Sequence, residues 1–330
     1  MKNNWRVATV AALGICLALY VVFHIGLGTV VSAVARTGFG GFGLLCLYGL
    51  AMCPLLAAAW FVLLPGGSGY FGVFVWARMV REAASDLLPF SHIGGIAFGA
   101  RTAVLHRVPA PLAFASTIVD ITTELLAQVA FIALGLGILS KHVPPTPISA
   151  SLGKFVLIGL AMAVFTGAVL LALQRYGHRL TGQIAARLLP RAAAHTGAVG
   201  AQLDAVHASR TRVALSCAVH LAAWIASGAG TWIAFRLMGA HVDILSAIAV
   251  EAFVGAARSA AVLVPSGLGV QEASYALLAP LLGVGPEFGL AVSLLKRARD
   301  IVLGVPILVI SQAVEGRRAL AAGSDVIDPE

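Results

Sequence analysis

Charge is what this sequence has least of. Only 11% of its 330 residues are Asp, Glu, Lys or Arg, against roughly 25% in an ordinary globular chain, while 59% are hydrophobic. A soluble globular protein is thereby excluded, and so is a disordered one, which needs the opposite balance. Cysteine is also scarce. Cys16, Cys46, Cys53 and Cys217 lie in apolar stretches with no C-x-x-C and no histidine at ligand spacing, so they read as small core residues rather than disulfides or metal ligands. Catalytic signatures are missing too: there is no H-E-x-x-H, no G-x-S-x-G and no Walker lysine motif, which leaves no site for ATP-driven pumping. Gly38-Phe39-Gly40-Gly41 resembles a nucleotide fingerprint only superficially, because no strand precedes it. No metal or cofactor is expected.

What is present is long uncharged sequence. Twenty-nine residues separate Arg6 from Arg36, and 41 separate Arg36 from Arg78, without one charged side chain. A bilayer span needs about 20. The chain therefore reads as an all-α, polytopic membrane protein. Its net charge of +8 does not mark a nucleic-acid groove, because the basic residues cluster at the ends of apolar runs, as the positive-inside rule requires. Nucleic acid is excluded as a partner.

Six full spans are expected at Val7 to Leu27, Gly41 to Leu64, Pro111 to Leu139, Leu152 to Leu173, Val213 to Leu237 and Pro286 to Val314. The first is too long for a signal peptide and has nothing soluble after it. Two further apolar segments are broken, Tyr70 to Leu105 at Leu88–Gly95 and Ile244 to Leu282 at Val264–Gly269. Proline lacks the amide donor and glycine invites a turn, so each is expected to form a re-entrant hairpin of two short helices. Residues 1–140 then read span, span, hairpin, span, and residues 141–315 repeat that order from the other side of the membrane, leaving 316–330 as a short polar tail. That is the order of an inverted-topology repeat. Six arginines against Asp204 put the connector from Arg175 to Arg212 in the cytoplasm, and Lys2, Arg6, Arg317 and Arg318 put both termini there. Leu180, Ile184 and Leu188, beside Arg179, Arg187 and Arg191, suit either an amphipathic surface helix or a solvated connector.

An ionisable side chain at the bilayer centre costs roughly 2.5 to 3.5 kcal/mol. Asp120 and Glu124, one turn apart, share a helix face with Thr117 and Gln128. This stripe is either a structural pair, neutralised by arginine or held protonated, or part of a functional cavity in which Asp120 or Glu124 titrates. In the last span, Lys296 and Arg299 share a face and are free to serve that stripe or an anionic ligand, while Arg297 is placed to pair with Asp300. A purely structural network and a kink toward the headgroups are the alternatives. The second limb of each hairpin is expected to start near Ser91 and Ser266, just past Pro89 and Pro265. An unpaired helix N-terminus there suits a phosphate or carboxylate, unless the prolines serve folding alone. Arg78, Arg81, Arg101, Arg258, Gln271 and Glu272 flank these breaks. His220 and Trp224, one turn apart, suit interhelical packing and hydrogen bonding.

Several of these residues carry a resemblance: Leu87-Leu88-Pro89 with Gly94-Gly95 and Arg101, Val119-Asp120 with Glu124, Pro265-Ser266-Gly267-Leu268-Gly269 with Glu272, Leu294 to Arg299, and Val314-Glu315-Gly316-Arg317-Arg318. In this order the chain resembles, over nearly its whole length, the flippase-like family found as the transmembrane region of lysylphosphatidylglycerol synthases, and within it looks like the hopanoid-biosynthesis-associated membrane proteins. Asp86 stands where many members have Asn, and no Glu follows Gly94-Gly95. The resemblance implies a bacterial inner-membrane protein that moves a lipid or lipid-linked molecule; with the polar residues above, the expected path for the headgroup is a midplane cavity lined by Arg78, Arg81, Arg258, Asp120, Glu124 and Arg299. The sequence ends at Glu330, so the aminoacyl-transferase activity of the synthases is not carried over. Membrane lipids are the expected partners, with lipid-biosynthesis enzymes and a second copy of the chain as further candidates. A lipid-modifying enzyme using Asp120 and Glu124 as acid and base, or a scaffold for lipid-synthesis enzymes, are the competing readings.

Overall fold

A computed structural model describes residues 27–65, 71–88, 91–142, 190–261, 264 and 267–324, with scattered helical positions between 157 and 169. Among these the chain is all helical, with no strand. We number the helices α1 (Leu27–Phe61), α2 (Phe71–Leu87), α3 (Ser91–Leu105), α4 (Ala110–His142), α5 (Pro190–His207), α6 (Arg210–Leu237), α7 (Ile244–Ala260), α8 (Val270–Leu278) and α9 (Pro286–Ser324). Three stretches are long and apolar enough to cross a bilayer: Val34–Phe61, Ala110–Leu139 and Arg210–Leu237. The chain is thus an all-α polytopic membrane protein. The expected span at Val7 to Leu27, nearly all of Leu152 to Leu173, the basic stretch around Leu180 to Leu188, and Pro89, Pro265 and Ser266 lie outside the described residues.

Two boundaries differ from expectation. A connection was expected between Leu27 and Gly41, but the chain is already helical from Leu27 and simply bends at Gly38, whose φ of 63° and ψ of 172° leave the helical region. Nothing else between Thr29 and Thr37 breaks a helix. At the other end α9 runs on to Ser324, past the expected polar tail at 316, since no proline or glycine pair stops it before Gly323.

In both expected hairpins the flanking helices lie against each other. The limbs α2 and α3 lie against each other, and close approach is possible because Gly95 and Gly99 face α2. A Cβ on Gly95 would fall 2.7 Å from the Arg81 carbonyl oxygen, and one on Gly99 3.0 Å from Arg81 Cβ. Small residues one turn apart are how helices pack tightly where lipid supplies no hydrophobic drive. In the second hairpin the returning limb starts at Val270, later than the expected Ser266. Gly269 serves as its N-cap, donating its amide to the Glu272 carboxylate at 2.8 Å. The limb is short and passes into a 3₁₀ turn at Ala279–Leu282 before α9 begins.

Helix α9 joins the two hairpins. Leu303 and Ile307 pack with Val80 and Ala83 of α2, and Gly304 lies against Leu87 at the tip of the first hairpin. Two turns earlier on α9, roughly 10 Å along the axis, Arg297 reaches the Gly267 carbonyl at the tip of the second. The tips therefore bracket Arg299 and Asp300, near the middle of the stretch from Pro286 to Val314. The opposite ends of α3 and α9 also meet, where Arg101 Nη2 lies 3.2 Å from Glu315 Oε2.

Candidate functional site: three charge clusters around the hairpins

The first cluster ties the first hairpin to α4. Arg78 and Arg81 sit one turn apart on α2, and Asp120 and Glu124 one turn apart on α4, so two guanidinium forks meet two carboxylates. Arg78 Nη1 donates to Asp120 Oδ2 at 3.1 Å and Arg78 Nη2 to Glu124 Oε1 at 2.8 Å. Arg81 Nη1 donates to Asp120 Oδ2 and Arg81 Nη2 to Glu124 Oε2, both at 2.6 Å. Arg78 Nε also lies 2.8 Å from Glu82 Oε1. Helix α6 supplies the last partner: His220 Nε2 lies 2.9 Å from Asp120 Oδ1. Arg78, Asp120 and His220 are fully buried. Each ion is affordable in that environment only because the others surround it. Trp224, one turn from His220, stacks on Phe131.

The rest of the polar stripe also faces protein. Thr117 donates its hydroxyl to the Ala113 carbonyl one turn back on its own helix, and Gln128 donates to the Gly255 carbonyl of α7 at 3.3 Å. Asp120, Glu124 and His220 bring one potential metal-ligand atom each within 4.8 Å of one another. The two guanidinium forks already occupy the carboxylate oxygens, however, and a cation would have to displace both. The cluster fits an ion-pair clamp, not a metal centre.

The second cluster ties the second hairpin to its neighbours. Glu251 of α7 receives Lys296 Nζ of α9 at 2.7 and 2.9 Å, Ser227 of α6 at 2.8 Å and Thr231 of α6 at 2.6 Å. Tyr275 of α8 donates to the same carboxylate and accepts from Lys296 at 2.8 Å. Alongside, Arg297 pairs with Glu272, and Gln271 donates to Ser293 of α9 at 3.0 Å. Both limbs of this hairpin are thus hydrogen-bonded to α9. Two expected pairings are corrected here. Arg297 joins Glu272 instead of Asp300, because the buried limb α8 offers it a carboxylate facing α9. Lys296 serves Glu251 and leaves the α4 stripe to the arginines of α2, which reach it directly.

The third cluster lies where the tips meet. Arg258 Nη2 of α7 stands 3.9 Å from Asp86 Oδ1 of α2, with the side chains 36% and 32% exposed. Arg299 Nη2 pairs with the adjacent Asp300 at 2.7 Å, with exposures of 21% and 26%. Arg299 also lies against Gly49 of α1, where a Cβ would come within 3.0 Å of its Cδ. The Arg258–Asp86 contact is the loosest of the described pairs, whereas Arg299 and Asp300 hold each other closely.

Of the expected site residues, Arg78, Arg81, Asp120 and Glu124 come together, and Arg258 and Arg299 lie near one another at the tips. Arg101 joins neither group. It sits roughly 15 Å along α3 from the tip, because ten residues of helix separate it from Ser91, and it is largely exposed beside Glu315. Ser91 does begin α3. Glu251, Tyr275, Thr231, Glu82 and the tie from His220 to Asp120 were not anticipated. Glu251 carried the same signal as Asp120, an isolated carboxylate in an apolar helix.

An all-helical fold with three described stretches long and apolar enough to cross a bilayer defines a polytopic integral membrane protein. The chain belongs to the lysylphosphatidylglycerol synthase TM region family, which matches it over residues 7–307. No curated protein and no solved structure matches. Family membership makes this a membrane protein with a lipid-related function.

Proposed function

We propose that the protein is a flippase-like translocase that moves a lipid or lipid-linked molecule across the inner membrane, its headgroup passing between the hairpin tips while its tail stays in the bilayer. One observation carries the reading: Asp86 of α2, Arg258 of α7 and Arg299 and Asp300 of α9 gather where the hairpin tips meet, with the Arg258–Asp86 pair loose and about a third exposed. Charged groups left open at such depth have a use, and a polar headgroup is the matching ligand. The clamps support a division of labour. Asp120 and Glu124 have their oxygens taken up by arginine and histidine, which leaves no acid–base pair facing a lipid and favours transport over lipid chemistry.

Spacing supports an inverted repeat. Asp120 follows Pro89 at the same interval as Lys296 follows Pro265, Glu124 matches Asp300 in the same way, and Glu82 precedes its proline as Arg258 precedes its own. At two of the three matched positions the sign is reversed. Two halves on this plan would rock against each other with the tips as the shared gate, both termini in the cytoplasm and membrane lipids as partners. Association with lipid-synthesis enzymes, or with a second copy of the chain, is compatible with the exposed apolar faces. The experiment is reconstitution into vesicles with head-labelled lipids, phospholipid and hopanoid-type in parallel. Catalysed exchange between leaflets of at least one class is expected; none above empty vesicles for either class would sink the proposal.

A further inference from the structure

Resting on that translocase reading, we propose that His220 is a proton-binding residue and that proton uptake at its Nδ1 couples lipid movement to a proton gradient. Ionised Asp120 can only accept, so the 2.9 Å contact requires Nε2–H of His220 to donate to Oδ1. The second ring nitrogen, Nδ1, then carries a lone pair. It is buried and has no hydrogen-bond partner among the described residues. A vacant, basic nitrogen inside an ion-pair cluster is a ready proton site.

The charge count points the same way. Arg78 and Arg81 bring two positive charges, and Glu82, Asp120 and Glu124 bring three negative ones. With neutral imidazole the cluster is left one charge negative, and a proton on His220 brings it to zero. The carboxylates are poor alternatives, since protonating either one breaks charge-assisted bonds to arginine. The step is simple in its balance: one proton from water joins the Nδ1 lone pair, no covalent bond breaks, and the same proton leaves on the other side to reset the ring.

Other ionisable groups on the elements packed against α6 are engaged elsewhere. Cys53 of α1 donates to the Gly49 carbonyl, and His207 of α5 pairs with the Leu203 carbonyl. Glu251 of α7 holds Lys296 of α9, Arg258 faces Asp86, Arg297 holds Glu272, and Arg299 holds Asp300. Tyr48 of α1 donates to the Ala226 carbonyl of α6 itself, and among the described residues His220 contacts Asp120 and through it shares the cluster with Arg78, Arg81 and Glu124.

Coupling follows from the missing partner. A new Nδ1–H donor would be buried without an acceptor in the present packing, so proton binding favours a second arrangement in which α6 has shifted against its neighbours. The same Asp120 that holds His220 holds Arg78 and Arg81, and through them α2, whose tip carries Asp86. A change at the ring is thereby passed to the gate.

The test uses the full-length protein in vesicles with head-labelled lipid and the membrane potential clamped. A one-unit pH gradient should sustain up to about tenfold lipid asymmetry at one proton per lipid. In His220→Gln the gradient-driven leaflet ratio should fall to one even where downhill exchange is still measurable, and His220→Asn serves if the first variant fails to fold. Wild-type exchange that ignores the gradient overturns the proposal and leaves the translocase reading standing. No exchange at all sinks the translocase reading and the coupling with it. The site itself is read separately by ¹⁵N-histidine NMR of the wild type in nanodiscs. A population with both His220 ring nitrogens at imidazolium shifts is expected when the medium is acidified; a ring in which Nδ1 never carries a proton overturns proton binding whatever the transport result.

Discussion

Replacing Arg258 with Gln separates the headgroup site from the structural clamps, because the two roles differ in size. Arg258 is more than a third exposed and 3.9 Å from its nearest carboxylate, Asp86. Ion pairs so open are worth about 0 to 1 kcal/mol of stability. The variant should therefore unfold within a few degrees of the wild type in detergent. As a headgroup contact the same guanidinium supplies a charge-assisted hydrogen bond to phosphate or carboxylate, worth about 1.5 to 3 kcal/mol. That corresponds to a fall of roughly tenfold to 150-fold in exchange rate at subsaturating lipid. Flux of head-labelled lipid and the thermal midpoint would be measured on one vesicle preparation. Flux within twofold of the wild type refutes the site, and so does a loss of flux that tracks an equal loss of stability.

The clamp behaves in the opposite way. Arg78→Met leaves Asp120 and Glu124 short of one buried counter-charge and should cost about 3 to 5 kcal/mol, and adding Glu124→Gln should recover part of it. Thermal unfolding of the two singles and the double gives the cycle, and additivity within about 0.5 kcal/mol would show that the pair does not couple. The topology is checked with single cysteines at Ser91 and Ser266: aqueous thiol reagents should reach them from opposite sides, and labelling of both from one side alone contradicts an inverted repeat.

Long uncharged runs made the helical class legible in the sequence, and Pro89 and Pro265 made the hairpins legible, because the bilayer solvent punishes any polar exception. For the same reason Asp120 and Glu124 stood out as meaningful. Their partners were harder to read. Arg78 and Arg81 could be named as nearby in sequence to a break, but which carboxylate they meet depends on how α2 packs on α4, and that is set by contacts such as Gly95 and Gly99 against Arg81. Arg297 shows the limit most clearly. Asp300, one turn on along the same helix, was the local choice, and the actual partner, Glu272, lies on another helix. Arg101 lies apart from the clusters for a related reason, since closeness in sequence to a proline becomes roughly 15 Å of distance once a helix intervenes.

The same packing decides between substrate site and scaffold. A lipid phosphate competing for Arg78 would have to displace carboxylates that are already aligned, desolvated and fixed on a neighbouring helix, and it would leave those carboxylates buried without counter-charges. At Arg258 the ligand displaces mainly water and a loose pairing, so its own charge is not spent on breaking a clamp, whereas Arg299 is already held by Asp300 at 2.7 Å. Selective use of Arg258 follows from that difference alone. It also predicts which half moves: both limbs of the second hairpin are hydrogen-bonded to α9, whereas in the first hairpin the polar clamp holds α2, and the described interhelical ion pair of α3 is the exposed one between Arg101 and Glu315. The limb outside the polar clamp, α3, packed on Arg81 through Gly95 and Gly99, is then the one expected to move when the gate opens.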